Sequence, residues 1–119
     1  MSDFSFILLP VADPIASAAF YERLLGRPPV EAAPTFAMLK LREGVMLGLW
    51  QRDGVQPTPG AAPGGSEVAF IAADVDATHA DWAAKGTTIL QTPTDMDFGR
   101  TFTAADPDGH RLRVFKPGG

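Results

Sequence analysis

The chain has no cysteine among its 119 residues, so a disulfide framework, a cysteine zinc site and a thiol nucleophile are excluded. Histidine is almost as scarce, with only His79 and His110. Neither has a partner at ligand spacing, and a histidine on a helix surface or in a turn is ordinarily solvated. No Ser-His-Asp order has local support, and no glycine-rich loop opens a helix after a strand. The stretch "GAAPGG" resembles such a loop only in composition and precedes a strand. Basic clusters are missing too. Ten Lys and Arg face 14 Asp and Glu, a formal charge of −4, which does not suit a nucleic-acid partner. No apolar run reaches the ~20 residues of a membrane helix. The opening "MSDFSFILLPVADP" carries Asp3, lacks a basic stretch and breaks at Pro10 and Pro14. It does not read as a signal peptide, and a cytoplasmic location is expected.

Hydrophobic residues make up 45% of the chain, enough for the core of a single domain over residues 1–119. Residues 52–65, "RDGVQPTPGAAPGG", have no periodicity and read as a linker. The segments on either side look alike. At a shift of 61, Leu9 falls on Phe70, Ala12 on Ala73, Asp13 on Asp74, Ala16 on Ala77 and Tyr21 on Trp82. At a shift of 65, Gly44, Leu47, Leu49 and Trp50 fall on Gly109, Leu112, Val114 and Phe115. An internal duplication explains both matches.

Each half begins with an alternating run, then an Asp at a helix N-cap: Asp13, followed by Pro14, and Asp74. Ile15, Ala18, Ala19, Glu22 and Leu25 lie at helical spacing, as do Val75, Thr78, Trp82 and Ala83; Gly26 and Gly86 end the helices. Short strands follow near 28–32, 35–41 and 44–51, then near 87–91, 100–105 and 110–116. The polar segment Thr92 to Phe98 is expected to be a loop. The fold class is α+β, with βαβββ made twice: module one about 4–51, module two about 66–117.

The paired modules, the Asp106-Pro107-Asp108-Gly109 turn before the last strand and "FYERLLG" after a capped helix resemble the vicinal oxygen chelate superfamily. Glyoxalase I, extradiol dioxygenases and bleomycin resistance proteins belong to it. "VMLGLW" and "PTDMDFGRTFTAADPDGHRLRVF" are similar to its small antibiotic-binding members of the phenazine type. The resemblance implies two curved sheets around a cleft and a homodimer. Family enzymes hold a divalent metal at four positions, which motif matching places at Phe6, Gly48, Glu67 and Arg113. Phe6 and Gly48 offer no donor and Arg113 is a permanent cation, so no metal and no other cofactor is expected.

Strand parity directs Leu47, Leu49, Leu112 and Val114 toward the helices. The opposite face receives Phe6, Met46, Gly48 and Trp50 from one module, and Glu67, Arg111, Arg113 and Phe115 from the other. The 92–98 loop is expected to bring Met96 and Phe98 to the mouth of the cleft. Apolar walls with a few placed polar groups suit a ligand. The expected ligand-binding residues are Phe6, Met46, Gly48, Trp50, Glu67, Phe98, Arg113 and Phe115, with no catalytic residue. Structural roles remain open: Trp50 closing a core, Phe6 as filler, Glu67 and Arg113 as an ion pair joining the modules. Two functions follow. The first is sequestration of a planar aromatic small molecule, an antibiotic, by a metal-free binding protein. The second is a lyase or dioxygenase with a non-standard site, in which Glu67 is the base and its pKa is raised by an apolar wall and lowered by Arg113.

Overall fold

Asp13 and Asp74 start the two helices by the same device. The Asp13 carboxylate accepts hydrogen bonds from the N–H groups of Ile15 (3.1 Å) and Ala16 (3.2 Å), and Asp74 accepts from Ala77 (3.0 Å). Those N–H groups have no helical partner of their own. Gly26 closes the first helix in the left-handed region at φ 73°, its N–H donating to the Glu22 carbonyl. A computed structural model describes residues 2–118. In chain order the elements are β1 (Phe6–Val11), α1 (Pro14–Leu25), β2 (Glu31–Ala32), β3 (Phe36–Arg42) and β4 (Val45–Gln51). A 3-10 turn (Arg52–Gly54) follows, then β5 (Glu67–Ile71), α2 (Val75–Ala84), β6 (Thr88–Met96), β7 (Gly99–Ala105) and β8 (Arg111–Pro117). This is the expected α+β pattern, βαβββ twice, and the chain divides into two compact units between Ala62 and Pro63.

In the first unit the sheet order is β1-β4-β3-β2, with β1 parallel to β4 and the other pairs antiparallel. One face meets α1. Leu9, Val11, Ala37, Leu39, Leu47 and Leu49 are buried there with Ala18, Tyr21 and Leu24 of the helix. Each large side chain so buried contributes ~1.5–3 kcal/mol. The buried residues of α1 are Pro14, Ser17, Ala18, Phe20, Tyr21 and Leu24, whereas Ile15, Ala19 and Glu22 of the expected set are exposed and Leu25 is half-buried. Rotating the helix this way buries the ring of Tyr21 instead of Ala19 and Glu22, which removes more apolar area from water; Ile15 is left 48% exposed.

The second unit repeats the order as β5-β8-β7-β6. Trp82 of α2 is buried, with Phe70 (6.1 Å between centroids) and Phe102 (5.4 Å) set edge-on to it. Before β8, the Asp106 Oδ1 accepts from the N–H groups of Asp108 (2.9 Å) and His110 (2.8 Å), and Gly109 takes φ 96° to complete the turn.

Three expectations need correction. Residues 92–96 are not a loop: β6 runs on to Met96 and forms a hairpin with β7 through Asp97 and Phe98. β6 is an edge strand, so polar residues and Pro93 are tolerated on it, and the register shift between Gln91 and Thr94 absorbs the proline. Neither histidine is fully solvated. His110 is buried in the turn, and His79 is half-buried with its ring edge-on to Phe102 at 5.3 Å. The strand near 28–32 shrinks to Glu31–Ala32, since Pro28 and Pro29 cannot donate to a ladder.

Gly99 opens β7 at φ 140°, where a Cβ would collide with the Lys116 carbonyl oxygen. Gly99→Ala is therefore expected to destabilise the protein by about 1–3 kcal/mol in urea unfolding. Gly60→Ala, with nothing within 4 Å of the added carbon, is expected to stay within about 0.5 kcal/mol of wild type. Equal midpoints for the two variants would contradict the strain at Gly99.

Candidate functional site

Residues opposite one another across paired strands share a face. In the first sheet Phe6 is paired with Met46, Leu8 with Gly48, Phe36 with Trp50, and Met38 with Gly48. This face looks away from α1. Phe6, Leu8, Phe36 and Trp50 line an open apolar concavity of about 410 Å³, with the rings of Phe6 and Phe36 6.5 Å apart and tilted. Gly48 governs its floor. A Cβ there would lie 2.6 Å from a Leu8 methyl and 3.1 Å from the Phe36 ring, so a side chain at this position would displace the Leu8 methyl and press on the Phe36 ring. Leu8 and Phe36 occupy the space that the missing side chain at Gly48 leaves.

The matching face of the second sheet is charged. Arg113 grips Glu67 with two hydrogen bonds, Nε to Oε1 at 2.7 Å and Nη2 to Oε2 at 3.0 Å. The Arg111 Nη2 approaches Oε2 at 3.1 Å. The remaining Arg113 nitrogen, Nη1, donates to Gln91 Oε1 (3.3 Å) and Thr101 Oγ1 (3.2 Å). Thr103 donates to the same Gln91 oxygen at 3.3 Å. The side chains of Arg113 and Glu67 are 18% and 29% exposed, sheltered enough for this charge-assisted pairing to matter. The Arg113 hydrogen bonds hold the Glu67 carboxyl below the usual carboxylate range against a smaller opposing effect of burial, and Glu67 in turn raises Arg113.

Of the eight expected ligand-binding residues, Phe6, Met46, Gly48 and Trp50 share the first face. Glu67, Arg113 and Phe115 share the second. Phe98 sits in the β6–β7 turn, its ring edge-on to Phe115 at 6.1 Å. Sequence reasoning missed Phe36, whose place opposite Trp50 was readable from strand parity. It also missed Gln91 and Thr101 as supports for Arg113, because the bulge in β6 hides the register of Gln91.

The four positions implied for a metal do not fit one. Phe6 and Gly48 have no donor atom, and both oxygens of Glu67 are engaged by guanidinium groups. Among the described residues no group of three or more His, Cys, Asp or Glu could hold an ion. Of the two opposing effects expected on a Glu67 base, the Arg113 hydrogen bonds outweigh burial. The Arg113 clamp lowers the pKa, and such a carboxylate is a weak proton acceptor at neutral pH.

Glu67→Ala strands two guanidiniums on one face, so it is expected to cost more stability than the double change Glu67→Ala/Arg113→Ala. Coincident urea midpoints for the two would mean the pair is solvent-screened. Because the folded-state pKa of Glu67 is depressed, its stabilisation is present above the ordinary carboxylate range and lost as pH falls through the lowered value. The stability gap between wild type and Glu67→Gln should therefore close on acidification. A gap that is constant from pH 7 down to strongly acidic pH would contradict this.

The same architecture is found in proteins of known family. The profile of the Glyoxalase/Bleomycin resistance protein/Dioxygenase superfamily matches residues 4–114. The chain is 27% identical over 113 residues to the phenazine antibiotic resistance protein EhpR of Enterobacter agglomerans, covering 90% of this chain and 86% of that one. It is 48% identical, at a TM-score of 0.88 and with full coverage of both chains, to the solution structure of protein ATC0852 from Agrobacterium tumefaciens. A glyoxalase-related enzyme from Fulvimarina pelagi shares the fold at a TM-score of 0.83 and 24% identity, over 98% of this chain and 88% of that one. Two βαβββ units, the capped helices and these matches together place the chain in the glyoxalase/bleomycin resistance protein/dioxygenase superfamily.

Proposed function

We propose that this chain is a resistance-type binding protein that sequesters a flat, hydrophobic aromatic small molecule without using a metal. The observation that carries the proposal is the apolar concavity of the first unit, where Phe6, Leu8, Phe36 and the half-buried Trp50 leave aromatic surface open. Exposed aromatic and aliphatic side chains gathered on one face suit a ligand more than a core. The similarity to a phenazine antibiotic resistance protein supports the same ligand class. Phe6, Met46, Gly48, Trp50, Glu67, Phe98, Arg113 and Phe115 are the proposed binding residues. Catalysis with Glu67 as base is the weaker proposal, because Arg113 and Arg111 already engage that carboxylate.

The proposal extends to a cytoplasmic homodimer. No helix among the described residues is long and apolar enough to cross a membrane. Leu8 (50% exposed) and Ile71 (70% exposed) lie on the edge strands β1 and β5, and exposed apolar edges favour self-association. Sedimentation at micromolar concentration should give twice the monomer mass.

Trp50 tests the binding proposal. A planar ligand stacked on it should quench tryptophan emission, while Trp82, buried beneath α2, should not respond. Trp50→Ala is expected to weaken binding of such a ligand, phenazine for example, by about tenfold or more. The strand retains Leu47 and Leu49 as fully buried core contacts, so stability should fall by less than about 2 kcal/mol. Loss of several kcal/mol with undiminished binding would make Trp50 a core residue and remove the main support for sequestration.

A further inference from the structure

Gly48 is buried although it has no side chain of its own to bury. It lies in the middle of β4, opposite Leu8 of β1 on one side and Met38 of β3 on the other. Two side chains lean over it. A Leu8 methyl and the Phe36 ring stand 2.6 Å and 3.1 Å from the place a Cβ would take. The protein's own leucine therefore sits on the bare strand at the centre of the concavity.

Leu8 covers the glycine with one side and keeps the other open, since it remains 50% exposed. Its strand is an edge of the sheet, flanked in the ladder by β4 alone. Among Phe6, Leu8, Phe36 and Trp50, which line the concavity, it is the aliphatic member. Apolar surface left in water gains free energy when a ligand covers it, and half of this side chain is still in water. The pair Leu8–Gly48 and the pair Pro10–Trp50 are neighbours along the same two strands. Two residues of strand separate them, roughly 7 Å, so one fused ring system reaches both Leu8 and Trp50.

We infer that Leu8 is the floor on which the ligand ring packs, and that Gly48 is a positioning residue acting through it. The inference rests on the proposed binding of a flat aromatic molecule. It adds a contacting residue to that site and gives Gly48 an indirect part in it. A side chain at position 48 would lift Leu8 off the strand and raise the floor into the volume that a ring needs. The missing side chain thus serves Leu8 first and the ligand through it.

The test is phenazine titrated into the full chain carrying isotope-labelled leucine methyl groups, followed by NMR and by Trp50 emission. The Leu8 methyl signals should move under the ring current of the ligand, further than those of the fully buried Leu47 and Leu49. Gly48→Ala should weaken phenazine binding by about tenfold, because the added carbon displaces Leu8. In a Leu8→Ala background the same change should cost less than about threefold, since the side chain it displaces is gone. If Gly48→Ala does not fold, the methyl measurement on wild type decides alone. Quenching of Trp50 with unmoved Leu8 methyls would overturn the inference and leave the sequestration proposal standing. Equal losses from Gly48→Ala in both backgrounds would also overturn it, assigning the effect to Phe36. Failure of phenazine to bind wild type would overturn both.

Discussion

The alternation of side chains along β4 and β8 is the constraint from which the rest follows. Each is a central strand, paired parallel on one edge and antiparallel on the other, so its backbone groups are satisfied and its register is fixed. A helix covers one face only. Leu47, Leu49, Leu112 and Val114 must point to that helix, and their neighbours must point away from it. A slip of one residue would turn the leucines into solvent and draw Trp50 or Arg113 inward. The cost of that slip is what holds Trp50, Arg113 and Phe115 on an open face.

The two units use this shared constraint for different chemistry. In the first, the open face is aromatic, and Gly48 permits Leu8 and Phe36 to settle over the strand. In the second, the equivalent face is organised around Glu67, which accepts from Arg113 and pairs with Arg111, while Arg113 also donates to Gln91 and Thr101. The positive charge beside Glu67 is that of guanidiniums, not of a metal ion. It cannot polarise a substrate oxygen as a Lewis acid does, but it fixes a carboxylate in one position. Recognition gains from that arrangement and acid–base chemistry does not.

Much of the fold was readable because the signals were local and repeated. Asp13 and Asp74 as caps, Gly26 as the helix end and the Asp106 turn each depend on a few adjacent residues. What escaped depended on neighbours distant in sequence. The strand character of Thr92 to Met96 is set by β7 alone, since as an edge strand β6 needs no alternating apolar face. The stripe of α1 was misjudged by one residue because helical spacing alone does not say whether Tyr21 or Ala19 meets the sheet. On the faces, parity assigned Trp50 and Arg113 correctly to the side away from the helices. It could not foresee that Leu8 and Phe36 fill the space above Gly48, or that Arg111 keeps an unpartnered nitrogen. Those features come from side-chain rotamers in three dimensions.

Thermal denaturation of the full chain across a panel of planar aromatic natural products tests the central claim most directly. A ligand present at a hundred times its dissociation constant adds about 2.7 kcal/mol of stability, a shift of several degrees for a domain of this size. The account predicts such a shift for planar ring systems, saturating with concentration, unaffected by chelator and with the compound recovered unchanged. Chemical conversion of the compound, or a shift that appears only with an added divalent metal, would contradict it.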